Sequence, residues 1–147
     1  MVTIKRLCVL VLGAFLLFGL TSCTPRETTV EKLVGVNFDE VDAISFFNGD
    51  SGKEYLCSDP EQIRGFLDQF KEVKVCLQDD QSPRAGEGIN VQLYHDSKMI
   101  GEFNYSEGML VQDRRYYTIT PEFSPDDYRK WCDKINELGQ LAPGGIE

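Results

Sequence analysis

Residues 89–120 read INVQLYHDSKMIGEFNYSEGMLVQDRRYYTIT, and their alternation decides the fold. Ile89, Val91 and Leu93 alternate with Asn90, Gln92 and Tyr94, the pattern of a strand with one dry and one wet face. Asp96-Ser97 turns the chain into a strand over Met99–Tyr105. Ser106-Glu107-Gly108 turns it again into Met109–Gln112, and Arg115–Thr120 completes a meander. Upstream, Val73, Val75 and Leu77 alternate to one face of a further strand, followed by the polar loop Asp79–Gly88.

Two more strands precede these. Val41–Phe47 and Lys53–Cys57 flank Asn48-Gly49-Asp50-Ser51-Gly52, which has the Gly and Asn chemistry of a hairpin loop. Asp59-Pro60-Glu61-Gln62 predicts a helix start, with Asp59 as N-cap, Pro60 at the first helical position and Gln62 at the third. Ile63, Phe66, Leu67 and Phe70 then form one apolar stripe, weakened at Gly65 by about 1 kcal/mol relative to alanine. Ser124-Pro125-Asp126-Asp127 opens a second helix by the same logic. Tyr128, Trp131, Cys132, Ile135 and Leu138 are its expected buried stripe, and Gly139 its C-cap. Strand runs with segregated helices predict an α+β fold, an antiparallel sheet with two helices packed on one face. The other face, carrying Asn90, Gln92 and Tyr94, is then open to solvent or a partner.

The chain has 147 residues, room for one domain, with 15 Lys+Arg against 24 Asp+Glu and a net charge of −9. An acidic surface argues against nucleic acid, whose phosphates are held by basic patches. Hydrophobic residues at 41% and aromatics at 11% supply a packed core and exclude a disordered chain.

The first residues are an address. Lys5-Arg6 precedes the uncharged run Leu7–Leu20, 14 residues long, short of the roughly 18–20 that span a bilayer. Leu20-Thr21-Ser22-Cys23 behind it resembles the lipobox of bacterial lipoproteins. The resemblance covers only these residues. It implies cleavage between Ser22 and Cys23 and a diacylglyceryl thioether on the Cys23 thiol, with acyl chains such as palmitate holding the protein on a membrane. It places the protein on the outer face of the cytoplasmic membrane. With Thr24 rather than Asp after the cysteine, it implies the outer membrane where the cell has two.

On this reading residues 1–22 are a signal peptide, 23–35 the lipidated cysteine and a tether, and 36–147 a single domain. Loss of residues 1–22 leaves 125 residues with 13 bases and 24 acids, a net charge of −11. The polar stretch Thr24–Glu31 would reach on the order of 15–20 Å. The layout resembles the many small uncharacterised bacterial lipoproteins with one α+β domain, a likeness that implies no activity.

Several motifs resemble chemistry that the rest of the chain does not support. Gly49-Asp50-Ser51-Gly52 resembles the nucleophile segment of chymotrypsin-like proteases, yet the single histidine, His95, follows Ser51 instead of preceding it, and Lys53 stands where a Gly belongs. Read as a calcium loop from Asn48, the same segment has Gly52 and Lys53 where a ligand and a Gly are needed. His95 beside Asp96 offers a general base without an identifiable nucleophile and reads as a surface turn residue. One histidine and scattered cysteines give no zinc spacing, so neither metal nor cofactor is expected.

Of five cysteines, Cys8 leaves with the signal and Cys23 carries lipid. Cys57 and Cys76 flank the first helix. A bridge between them would contribute about 3 kcal/mol, and reduced thiols are the expectation. Cys132 is expected in the core. Tyrosine and arginine are enriched in binding hot spots, which makes Asn90, Gln92, Tyr94, Arg114 and Arg115 the candidate partner-binding face. The expectation is a membrane-anchored, extracytoplasmic, non-enzymatic binding or accessory module for a protein or peptide partner. The alternative is a cell-surface hydrolase whose site is assembled only in three dimensions.

Overall fold

The computed structural model describes residues 27–84, 88–106, 108–122 and 125–141; the segment read as a signal peptide and Cys23 lie outside the described residues. In chain order the elements are β1 (Thr28–Thr29), α1 (Val30–Val34), β2 (Ala43–Asn48), β3 (Lys53–Cys57), α2 (Pro60–Lys71) and β4 (Lys74–Leu77). There follow β5 (Ile89–His95), β6 (Lys98–Ser106), β7 (Met109–Gln112), β8 (Arg115–Thr120), α3 (Pro125–Leu138) and β9 (Gln140–Leu141). Among the described residues nine strands form one antiparallel sheet in the order β1-β4-β8-β7-β6-β5-β2-β3-β9. The expected α+β class and the meander β5–β8 are both present.

Two of the chain's crossings of this sheet run through its long helices. After β3, near one edge, α2 carries it to β4 near the other, and α3 returns it from β8 to β9 beside β3. Local chemistry starts α2 as its sequence predicts: Asp59 Oδ1 accepts from the main-chain N–H groups of Glu61 and Gln62 at 2.9 and 3.0 Å. Ile63, Phe66, Leu67 and Phe70 are all buried. They meet Ile44 and Phe46 of β2, Val91 and Leu93 of β5, and Phe103 and Tyr105 of β6 in a single core.

Aromatic rings join the layers. Phe46 of β2 stacks on Trp131 of α3 at 5.3 Å and meets Phe66 of α2 edge-on at 4.8 Å. Phe70 continues edge-on to Phe103 and Tyr105, and Tyr105 to Tyr128. Such pairs add roughly 0.5–1.5 kcal/mol each beyond their buried area.

The segment read as tether contributes two elements. Thr28 and Thr29 pair with Val75 and Lys74 as an edge strand, Thr29 caps α1, and Val30 is 0% exposed. The apolar positions Val30, Leu33 and Val34 have helical spacing, but the run is only one turn long and flanked by polar residues. Hydrophobic burial against α2 and β6, a tertiary effect, fixes it. α1 shares the helical face: a β-carbon on Gly101 of β6 would fall 2.8 Å from Val34 and 2.5 Å from Val36.

Leu138 departs from its expected stripe and is 49% exposed, because the end of α3 overhangs β3. Leu77, at the end of β4, is likewise exposed, whereas Val73 and Val75 are buried. Gly139 closes α3 by donating its N–H to the Ile135 carbonyl at 2.6 Å. Ser124, the expected cap of α3, lies outside the described residues.

Candidate functional site

The face opposite the helices is built by strand alternation. Asn90, Gln92 and Tyr94 of β5 lie opposite Phe47, Ser45 and Ala43 of β2, while Asn90 and Gln92 lie opposite Asn104 and Glu102 of β6. Beyond β2, Ser45 pairs with Leu56 and Phe47 with Glu54. Directly paired residues share a face, so these side chains form one surface. It is polar with apolar islands, since Phe47 and Leu56 are exposed and Leu56 is 64% so. The Tyr94 hydroxyl donates to Gln92 Oε1 at 2.9 Å, which fixes both side chains.

Three of the five sequence-predicted face residues are therefore together. Arg114 sits in the β7–β8 turn with φ +63°. Arg115 pairs with Gln112, two residues along from the buried Leu110, so it projects to the helical side. The Asp79–Gly88 loop, described as far as Arg84 and again at Gly88, is held against β8. Gln81 donates to the Tyr116 carbonyl and accepts from the Tyr116 N–H, both at 3.0 Å, extending the β4–β8 ladder with an amide side chain. Arg84 lies over the Tyr116 ring at 5.3 Å.

Glu54, Leu56 and Ser45 were not singled out in the sequence. The alternation in Lys-Glu-Tyr-Leu-Cys over 53–57 carries the signal, since it sends Glu54 and Leu56 to one side and the half-buried Tyr55 and buried Cys57 to the other. The Tyr55 phenol is pushed above its ordinary pKa, first by burial and then by the nearby Cys57 and Asp59. It packs on the helical side and contributes no chemistry to the outer face.

His95, at the end of β5, stands between two carboxylates: Nδ1 is 3.6 Å from Asp42 Oδ2, and Nε2 is 3.6 Å from Asp96 Oδ2. Asp42 also accepts the Asp96 N–H at 2.7 Å. One ligand atom from each of the three lies within 4.8 Å of the others, and all three residues are exposed. Each imidazole nitrogen faces a carboxylate rather than a hydroxyl or thiol.

Ser51 lies in the β2–β3 loop, beyond the Asn48 end of β2, whereas His95 follows Tyr94, which is paired with Ala43 at the other end. The length of β5 from Ile89 to His95, at ~3.3 Å per residue, separates them by roughly 20 Å. No proton transfer joins a serine and a histidine at that distance. The loop is a turn, held by Asn48, whose Oδ1 accepts from the Asp50 N–H at 2.9 Å.

Cys57 and Cys76 carry free thiols. β3 and β4 have five strands between them, and the buried Cys57 faces the helices while Cys76, paired with Thr118, faces the other side. The loop-closing disulfide is therefore not formed.

Comparison with protein-family models, curated proteins and solved structures gives no significant match. The surface chemistry itself is what a functional reading rests on.

Proposed function

We propose that the chain is a lipid-anchored extracytoplasmic module that binds a protein or peptide partner through its outer sheet face, without catalysing a reaction. The observation that carries this reading is the face itself, a sheet surface built from Phe47, Leu56, Tyr94, Gln92 and Asn90 with all three helices on the other side. Support for the anchor is the lipobox Leu20-Thr21-Ser22-Cys23 behind its basic and apolar segments. Among the described residues no helix is long and apolar enough to cross a membrane.

An anchor at Cys23 also orients the domain. Cys23 is five residues from Thr28, so at ~3.5 Å per residue the β1 edge lies within roughly 18 Å of the lipid. The β3–β9 edge is at the other end of the sheet, up to about 38 Å away at ~4.8 Å per strand. On this reading the β3 end of the outer face is the part farthest along the sheet from the anchored edge.

Two experiments test the reading. Cys23→Ala abolishes lipid labelling and processing; a variant still cut before residue 23 and retained in the membrane refutes the anchor. A photocrosslinking side chain at position 47, in intact envelopes, captures one protein identified by mass spectrometry. The same probe at position 72, on the helical side, does not. Equal capture at both positions, or none at 47, refutes the binding face.

A further inference from the structure

The outer face is not uniform along its length. Toward β3 it dips into a concavity of about 1110 Å³, bordered by Asp42, Glu54 and Asp96, by Tyr94, and by the exposed Leu56 and Leu138. Among the described residues no lysine or arginine lines it. The volume exceeds the ~300–1,000 Å³ of ordinary small-ligand clefts. Open along one side, it suits a length of chain better than an enclosed small molecule.

A strand edge runs beside it. β9 pairs with β3 only at Lys53 and Glu54, and its direction carries the chain away from Leu56. A β-carbon on Gly139 would lie 3.0 Å from the Glu54 carbonyl oxygen, so Glu54 turns its main chain toward β9. In an antiparallel ladder every second residue turns the same way. Leu56 therefore presents its N–H and C=O to the part of the edge that β9 leaves uncovered, a template for one more strand.

Charge selects the occupant. The three carboxylates at the rim sit in a chain whose mature form carries −11, so a second copy would set carboxylates against carboxylates. We propose that the concavity takes an extended basic peptide segment that adds to β3 beside Leu56, with lysine or arginine side chains against Asp42, Glu54 and Asp96 and an apolar side chain between Leu56 and Leu138. The assignment rests on the outer face being the binding face.

The test uses the full chain in nonionic detergent and a fluorescein-labelled heptapeptide with lysine, leucine, lysine and lysine at positions 1, 3, 5 and 7 and threonine between them, which puts lysine and leucine on one face, followed by anisotropy. Saturable binding is expected. It weakens at least tenfold when glutamate replaces lysine, when alternate peptide nitrogens on the pairing edge are methylated, and in Glu54→Lys or the surface variant Leu56→Lys. Glu72→Lys makes the same charge change on the helical side and shifts affinity less than twofold. No binding, indifference to peptide charge or methylation, or an equal loss in Glu72→Lys overturns the proposal. If the peptide fails while the probe at position 47 still captures one protein, only the ligand assignment falls. If both fail, the binding-face reading falls with it.

Discussion

The Ser45 hydroxyl, on a residue only 3% exposed, donates to Glu54 Oε1 at 2.6 Å. A buried serine thus supports a carboxylate at the rim of the concavity from a neighbouring strand. A hydrogen bond to a charged group contributes about 1.5–3 kcal/mol, and a buried polar group left without a partner costs about 1–3 kcal/mol. Ser45→Ala removes the buried hydroxyl along with the bond, whereas Glu54→Ala leaves the hydroxyl behind. Glu54→Ala is expected to destabilise by about 1–3 kcal/mol, more than Ser45→Ala. Urea unfolding followed by the fluorescence of Trp131, the single tryptophan, checks this; the reverse order would count against the bond.

Glycine positions separate backbone freedom from packing. Gly65, inside α2, has open space where a β-carbon would sit, so Gly65→Ala should raise stability by about 1 kcal/mol through helix propensity. Gly101→Ala instead drives a methyl to 2.5 Å from Val36 and should destabilise by about 1–3 kcal/mol, the range for overpacking. Thermal melts of the two variants should move in opposite directions.

The Asp80 carboxyl is held below its ordinary range, first by the Ser82 hydroxyl, then by the Ser82 N–H at 2.9 Å, with Arg84 adding to both. A carboxylate with a folded pKa below its unfolded value of ~3.9 favours the folded loop above that pH and loses the contribution as pH falls through the lower folded value. Because Asp80 is exposed, solvent limits the effect on the whole fold, so the readout is local. A carboxyl titration by NMR should give Asp80 a midpoint below ~3.9, and Ser82→Ala should raise it. An unchanged midpoint in Ser82→Ala would remove Ser82 as the cause.

Elements with local causes were legible in the sequence. Asp59-Pro60 starts α2, the stripe Ile63-Phe66-Leu67-Phe70 is buried, and the alternation over 89–94 places Asn90, Gln92 and Tyr94 on the open face. What the sequence hid is non-local. Nothing in residues 53–57 says that β3 lies almost at a sheet edge, since that depends on α2 crossing to the far side before β4 forms. The same crossing parts Cys57 from Cys76. Leu138 continues a helical stripe, but exposure follows from where the sheet ends beneath it. Glu54 and Leu56 could be assigned to one face, yet their meeting with Asp42 and Asp96 requires the β2–β5 pairing.

Val30 is the first core residue among the described residues. Its side chain is fully buried two residues after Thr28 opens β1, so residues 28–31 belong to the folded domain despite the polar composition of 24–31. Val30→Ala removes two buried methyl equivalents and is expected to cost about 2 kcal/mol, while Lys32→Ala on the exposed side of α1 stays within about 0.5 kcal/mol. Loss of α1 would also release Val34 and Val36 from Gly101. Hydrogen exchange at β6 and at the β1–β4 edge should therefore accelerate in Val30→Ala and not in Lys32→Ala. Equal protection in both variants would remove α1 and the β1–β4 pairing as supports of β6.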